Sequence, residues 1–290
     1  MCIRDSLYPG EKVRMPRILV YYWPEHGWGA NAEFRRLIYK HYCPQRAGKA
    51  MLPIYYCNTA FTRGGGWLNQ TNAENQISLI KAYAPLGIEA LLTDAGWFEG
   101  GWPAGAGNWT PRKDAYPEGM APLAKAALDN NMVYGLWFEI ERVFPNTSFH
   151  KEHPDWVLWP KDTEDKPGQI KGLSNCGLAN FGLPEVQEHF FNIVKDFMSL
   201  PGFGFYRQDF NMDPLVYWRR NDAEDRQGIT ENKHVMGYLA YWDELVRRHP
   251  GMLIDSCASG GRRNDIETMR RAVPLLRSDY LFEPVGQQCH

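Results

Sequence analysis

The segment FGFYRQDFN, residues 203–211, reads as an aromatic, glycine-punctuated strand that finishes on an acid, Asp209. Arg207 stands two residues earlier, and side chains at i and i+2 of a strand share a face, so guanidinium and carboxylate look into one space. That pairing is expected to keep Asp209 ionised near neutral pH. Further on, PLLRSDYLF (274–282) repeats the device: an apolar run, then Asp279 where the strand ends, with Arg277 two places before it.

Outward from these two segments the chain alternates strand and helix. AMLPIYYCN (50–58) is a strand candidate, a helix over 72–86 carries Ile77, Ile80 and Ala84 at helical spacing, and IEALLTDAGWF (88–98) follows as a strand. A helix near 121–131 leads into VYGLWFEIE (133–141). Pro184 opens the next helix, with Val186, Phe190, Val194 and Phe197 as its buried stripe, and FGFYRQDF is the strand beyond it. A helix over 234–248, with Val235, Leu239, Trp242 and Val246, precedes MLIDSCASGG (252–261); a short one over 264–272 precedes PLLRSDY. Each strand ends on polar or small residues: Asn58, Asp94, Glu139, Asp209, Cys257 with Ser259, and Asp279. Strand–helix alternation predicts a parallel sheet, and polar groups gathered at the C-terminal ends of the strands predict an α/β fold of the (β/α)8 TIM-barrel type with its site on that face. A Rossmann-type sheet is the rival, but no strand is followed by G-x-G-x-x-G and no P-loop occurs. About six of eight βα units are present. An unclosed barrel exposes a sheet edge, so the chain alone is expected to be unstable or aggregation-prone.

Composition narrows the function classes. The chain has 290 residues, 44% hydrophobic and 23% charged, as globular proteins do, and its net charge of −2 gives no electrostatic reason to expect nucleic acid or an anionic membrane as partner. No apolar run approaches the roughly 20 residues of a membrane span. Six cysteines show no CxxC pair or framework spacing, which suggests neither zinc nor a disulfide scaffold and leans toward a reducing, cytoplasmic compartment. The opening MCIRDS does not read as a natural start, so the N-terminus is expected to be incomplete or artefactual. HKEH (150–153) reads as loop rather than metal site, since no second ligand cluster accompanies it. Eleven tryptophans are a high share; Trp97 and Trp102 either stack on a ligand or pack their loop. Glu139 and Glu141 read as partners of arginines, and Asp94 as a hydroxyl-binding group or a structural cap of the helix beyond it. Two carboxylates at the ends of two strands are what glycosidic bond cleavage requires.

The motifs TDAGWF (93–98), GLWFEIERV (135–143), HPDW (153–156), FYRQDFN (205–211), IDSCASGGRRND (254–265) and LLRSDY (275–280) resemble, in order and spacing, glycoside hydrolase family 36, the bacterial α-galactosidases and their relatives. Upstream, LYPGEKVRMPRILVYY resembles the passage from that family's N-terminal β-sandwich into its barrel. The resemblance therefore implies residues 1–31 as the tail of a β-sandwich domain, 32–49 as a linker with a short helix bearing Phe34, Leu37, Ile38 and Tyr42, and 50–290 as a catalytic barrel truncated at its C-terminus. It implies Asp209 as nucleophile and Asp279 as general acid/base, with Asp94, Trp137, Arg207, Asn211 and Cys257 binding the sugar, and neither metal nor organic cofactor. The implied substrates are α-galactoside oligosaccharides or glycoconjugates, and the implied full-length assembly is a homo-oligomer. This chain departs from the family where Asp94-Ala95-Gly96-Trp97 replaces D-D-G-W, where Arg207 replaces Lys and Gln208 replaces Trp, and where the arginine of the loop after the third strand has only Lys171 as a candidate counterpart. These departures leave open α-N-acetylgalactosaminidase or galactosyl-transfer activity on the same scaffold. A sugar-binding protein without catalysis is the alternative of another class; a metal-dependent barrel hydrolase is disfavoured by the lack of an H-x-H strand motif.

Overall fold

The computed structural model describes residues 7–23, 29–62, 68–160 and 175–276. Five parallel strands form its central sheet: β1 (Tyr56–Asn58), β2 (Ala90–Thr93), β3 (Val133–Phe138), β4 (Phe203–Gln208) and β5 (Leu253–Ser256). They lie side by side in chain order, β1-β2-β3-β4-β5. A doubly wound sheet reverses its strand order part-way; an unbroken sequential order is how a (β/α)8-type barrel curls, and the sheet is part of one.

Helices cross between successive strands after α1 (Gly29–His41) has led into the sheet: α2 (Ala73–Tyr83), α3 (Ala121–Asp129), α4 (Pro184–Met198) and α5 (Ile229–Arg248). Their starts follow from local chemistry. Asn72 and Asn75 cap α2 reciprocally, each side chain taking the other's backbone N–H, and Pro184 sits where α4 has no intrahelical use for an N–H. The expected α4 stripe is buried in full, and burying side chains such as Val186, Phe190 and Val194 contributes roughly 1.5–3 kcal/mol apiece. Phe190 stacks between the rings of Phe149 and Phe181, at 5.0 and 5.5 Å.

Two cores flank the sheet because side chains alternate across it. Leu91, Tyr134, Leu136, Tyr206 and Ile254 face the helices and join the main hydrophobic cluster. Ala90, Leu92, Phe205 and Leu253 face the barrel interior with Tyr56, whose ring meets Phe205 edge-on at 5.4 Å. Gly135 belongs to this inner layer, since a Cβ there would lie 2.7 Å from Phe205.

Several boundaries differ from the expectation. The first strand covers only Tyr56–Asn58 of 50–58, because Pro53 has no N–H for a ladder and residues 45–50 turn into a small hairpin instead. Helix α5 begins at Ile229 and exposes Val235; it buries His234 and Tyr238, with Gly237 so close to the Phe181 carbonyl that a Cβ would overlap it. Its inward face is thus set by one tight approach and by a buried polar partner, not by the aliphatic stripe alone. Phe34 of α1 is exposed and no residue of that helix is buried. The sixth strand with Arg277 and Asp279, and Lys171, lie outside the described residues. Among the described residues no helix is long and apolar enough to cross a membrane.

Candidate active site

Register places the site. Asp255 pairs with Arg207, Arg207 with Trp137, and Gly135, two residues before Trp137, with Leu92, two before Asp94; Leu92 in turn pairs with Asn58. These positions therefore share the inner face of the sheet, above the Phe205–Leu92 layer. Asp209 and Cys257 extend the same face by one pleat beyond Arg207 and Asp255. Five neighbouring strands thus deliver Asn58, Asp94, Trp137, Asp209 and Cys257 to one rim, which is where barrel proteins place their sites.

Asp209 is held through both of its oxygens. Its Oδ2 accepts from the Trp137 indole (3.1 Å) and from Asn211 Nδ2 (2.9 Å), and its Oδ1 accepts from the backbone N–H groups of Phe210 (2.7 Å) and Ser259 (3.1 Å). Burial works against its ionisation, but the positive charge of Arg207 and these hydrogen bonds outweigh it and keep the carboxyl below the ordinary range. Arg207 acts from a distance, however. Its ion pair is with Asp255, both side chains being almost wholly buried, so the sequence-based pairing of Arg207 directly with Asp209 is corrected. The register explains this: Asp255 lies directly across the β4–β5 ladder from Arg207.

Asp94 accepts from Asn58 Nδ2 at 2.6 Å and from the N–H of Ala95 at 2.8 Å, while its own N–H donates to Thr59 Oγ1. Burial raises it, and Asp209 adds to the rise, against the pull of Arg207. The chain beyond Asp94 is a turn rather than a helix, so the helix-cap reading fails. Gly96, at φ +93°, brings this turn against the Leu68–Asn69 backbone, where a Cβ would lie 2.8–2.9 Å from main-chain atoms. Trp97 is core: fully buried against Phe98, Phe138 and Phe197, it donates its indole N–H to the Trp137 carbonyl and so steadies the strand that carries Trp137. Trp102 is half-buried and donates to Glu139 at 3.0 Å. Gln208 turns toward the helices, bound to Trp242 Nε1, the Tyr206 hydroxyl and Glu141, so its departure from the family motif lies behind the site.

Glu139 and Glu141 do pair with arginines. Glu141 is gripped bidentately by Arg263 at 2.7 Å and by His234 at 2.9 Å; although burial opposes ionisation, Arg263 and His234 hold the carboxyl down at about 2. Glu139 sits 3.4 Å from Arg142 and burial pushes it up to about 7 in spite of that cation, with Asp209 adding to the rise. Burial also raises the Cys257 thiol, whose backbone N–H continues the ladder to the Gln208 carbonyl.

Asp255 and Arg142 were not singled out from the sequence, and Asn58 and Ser259 were named there only as polar strand ends, with no role of their own. Ser259 has a left-handed backbone (φ +44°) that aims its N–H at Asp209, and its hydroxyl donates to Asn211 Oδ1 at 2.7 Å. The small-residue run ASGG was the available signal. His153 of HKEH stacks on Trp156 at 3.7 Å, and among the described residues no group of His, Cys, Asp and Glu is arranged to hold a metal. Described residues of the long connection after β3 form a three-stranded antiparallel sheet of Arg142–Val143, Gly177–Ala179 and Val157–Leu158, which packs beside the rim through Leu158, Leu178 and Phe210.

Fold and site together define part of an α/β barrel with a cluster of buried carboxylates at the C-terminal ends of its strands. The chain belongs to the Melibiase family, whose model matches residues 16–283. It is 28% identical over 298 residues to alpha-galactosidase C of Emericella nidulans, covering 94% of this chain and 36% of that protein, and 23% identical over 263 residues to alpha-galactosidase Mel36A of Lactobacillus acidophilus, covering 90% and 35%. The chain thus spans about a third of the length of the curated relatives it matches. Among solved structures, the alpha-galactosidase AgaA of Geobacillus stearothermophilus in complex with stachyose shares the fold with a TM-score of 0.71 at 23% identity, over 84% of this chain and 33% of that one. The alpha-galactosidase from Lactobacillus brevis does so with a TM-score of 0.65 at 22% identity, over 79% and 30%.

Proposed function

We propose that the protein is a retaining glycosidase that removes terminal α-linked galactose through a covalent glycosyl–Asp209 intermediate. The observation that carries this reading is the anchored Asp209 carboxylate, kept ionised at the end of β4 in a chain of the Melibiase family. An anion fixed by donors on both oxygens presents a defined lone pair, and ionisation is what an attacking carboxylate needs. Asp209 attacks the anomeric carbon while the glycosidic C–O bond breaks, and the departing oxygen takes the proton of Asp279. Asp279 then removes a proton from water, which attacks the same carbon and releases Asp209. Retention of configuration follows from the two inversions, and it requires Asp279 about 5–5.5 Å from Asp209. Asp94, with an Oδ2 that accepts from Asn58 and a raised affinity for its proton, is suited to sugar hydroxyls, as are Trp137, Arg207, Asn211 and Cys257 around it. Substrates are α-galactoside oligosaccharides of the kind that the AgaA complexes contain, stachyose and raffinose.

The test uses the protein as its gene encodes it, with α-galactosyl and α-N-acetylgalactosaminyl nitrophenols, and follows the first product by proton NMR. The α-anomer of galactose, lost on Asp209→Ala, is the expected result. First release of the β-anomer, or turnover that survives the substitution, overturns the assignment of the nucleophile; cleavage of the N-acetylgalactosaminide alone overturns the sugar.

A further inference from the structure

Asn211 binds Asp209 through its side chain, and its main chain is itself gripped on both sides of the Cα, in two successive peptide groups. Its N–H donates to Glu139 Oε1, and its carbonyl accepts from the guanidinium of Arg142. Glu139 and Arg142 stand three residues apart at the end of β3, both buried, with Arg142 Nε 3.4 Å from Glu139 Oε1. The other oxygen of Glu139 accepts from Trp102 Nε1 at 3.0 Å. Trp102 is fixed in turn by Asn69, which accepts from its backbone N–H and donates to its carbonyl. On the far side, Ser259 donates to Asn211 Oδ1, which leaves Nδ2 directed at Asp209 Oδ2. A polar belt therefore runs through the connections after β1, β2, β3, β4 and β5 and ends on the carboxylate of Asp209.

We propose that Glu139 and Arg142 are positioning residues for Asp209, acting as a charged clamp on the main chain either side of Asn211. The proposal rests on Asp209 being the nucleophile. A neutral packed pair would cost less to bury, because two ions lose their hydration and recover it only with good geometry. What the ions add is direction: an anionic acceptor on the N–H of the Phe210–Asn211 peptide and a cationic donor on the carbonyl of the Asn211–Met212 peptide fix the backbone on either side of the Asn211 Cα, and charge-assisted hydrogen bonds are about twice as strong as neutral ones. With those two peptides fixed and Oδ1 of Asn211 tied to Ser259, the amide cannot rotate away, and the Asp209 oxygen it holds stays on one line of attack. Misplacement of a reacting group by about 1 Å can cost on the order of a hundredfold in rate.

The experiment is a double-mutant cycle in the gene-encoded protein on an α-galactosyl nitrophenol at about pH 8, where Glu139 is ionised, with Asp209→Ala as reference. Glu139→Gln keeps the size and an acceptor for the Asn211 N–H but removes the charge that orients Arg142. It should lower kcat by about ten- to a hundredfold with KM moving less than about threefold, and with the folded fraction unchanged by circular dichroism. Asn211→Ala cuts the link to Asp209, so Glu139→Gln added to it should cost less than about threefold more. Arg142→Lys, which keeps the charge but not the two-sided reach, should show the same kcat loss and the same non-additivity, and it carries the test if Glu139→Gln does not fold. Costs that multiply in the double variants, losses that merely track the folded fraction, or unchanged kcat overturn the clamp while leaving Asp209 in place. Full turnover by Asp209→Ala would instead remove the nucleophile and the clamp with it.

Discussion

Replacing Arg207 by Met should expose how the inner face of the sheet balances its charge. Arg207 is the cation that Asp94, Asp209 and Asp255 all feel, and its direct partner Asp255 is completely buried, its other oxygen accepting from the Leu275 N–H at 2.8 Å. Removing one member of a buried pair leaves an uncompensated charge, at a cost of about 3–5 kcal/mol. The pH dependence then has a definite sign. Burial already raises Asp255 against the pull of Arg207, so without the arginine its folded-state affinity for a proton climbs further above that of the unfolded chain. The native state then binds more protons than the unfolded state, and its stability falls as pH rises. Urea unfolding followed by circular dichroism should show the Arg207→Met deficit at its largest near pH 7 and narrowing toward pH 5, with Asp255→Asn added to the variant recovering much of it. A deficit below about 1 kcal/mol at pH 7, or one equal at both pH values, would refute the charge argument.

Glu139, raised to about 7, makes the opposite comparison possible with its own amide. Its protonated form is favoured by the fold, so that contribution is whole below the ordinary carboxyl range and is lost as pH rises through about 7. Unfolding free energies of Glu139→Gln relative to the unsubstituted protein should therefore improve by roughly 2–3 kcal/mol between pH 5 and pH 8, since each tenfold gain in proton affinity on folding is worth about 1.4 kcal/mol; a flat difference means the carboxyl is not perturbed. Phe190→Ala, between the stacked rings of Phe149 and Phe181, should lower stability by about 3–5 kcal/mol in denaturant titration. A loss under about 1 kcal/mol would mean that α4 is not the packed wall it is described to be.

The inner and outer faces of β4 were legible in its sequence because a period of two is a local property, and so were Asp209 at its end and the stripe of α4. What failed depended on register between strands. Arg207 was read with the nearest acid in sequence, whereas its partner came from β5, directly across the ladder. The Trp137–Asp209 contact joins residues whose roles were expected, but nothing local announces that Trp97 lies behind Trp137 and steadies its carbonyl instead of lining the pocket. Ser259 was named only as a polar strand end for another reason: its contact with Asp209 is a backbone N–H set by a left-handed conformation, of which side-chain chemistry gives no hint. Val235 followed the helical spacing yet points outward, since the rotation of α5 is fixed by Gly237 against Phe181 and by His234 reaching Glu141.

Strand β4 is committed on both sides. Arg207 looks inward to Asp255 while Tyr206 and Gln208 look outward to Tyr241, Trp242 and Glu141. Inserting or deleting a single residue there would exchange the two sets, turning the guanidinium into the helix layer and an aromatic ring into the pocket. Such a strand can drift by substitution but not by change of length. Changes of length can be absorbed only in the connections, so the rim around Asp209 can be remodelled there without disturbing the strand that carries it.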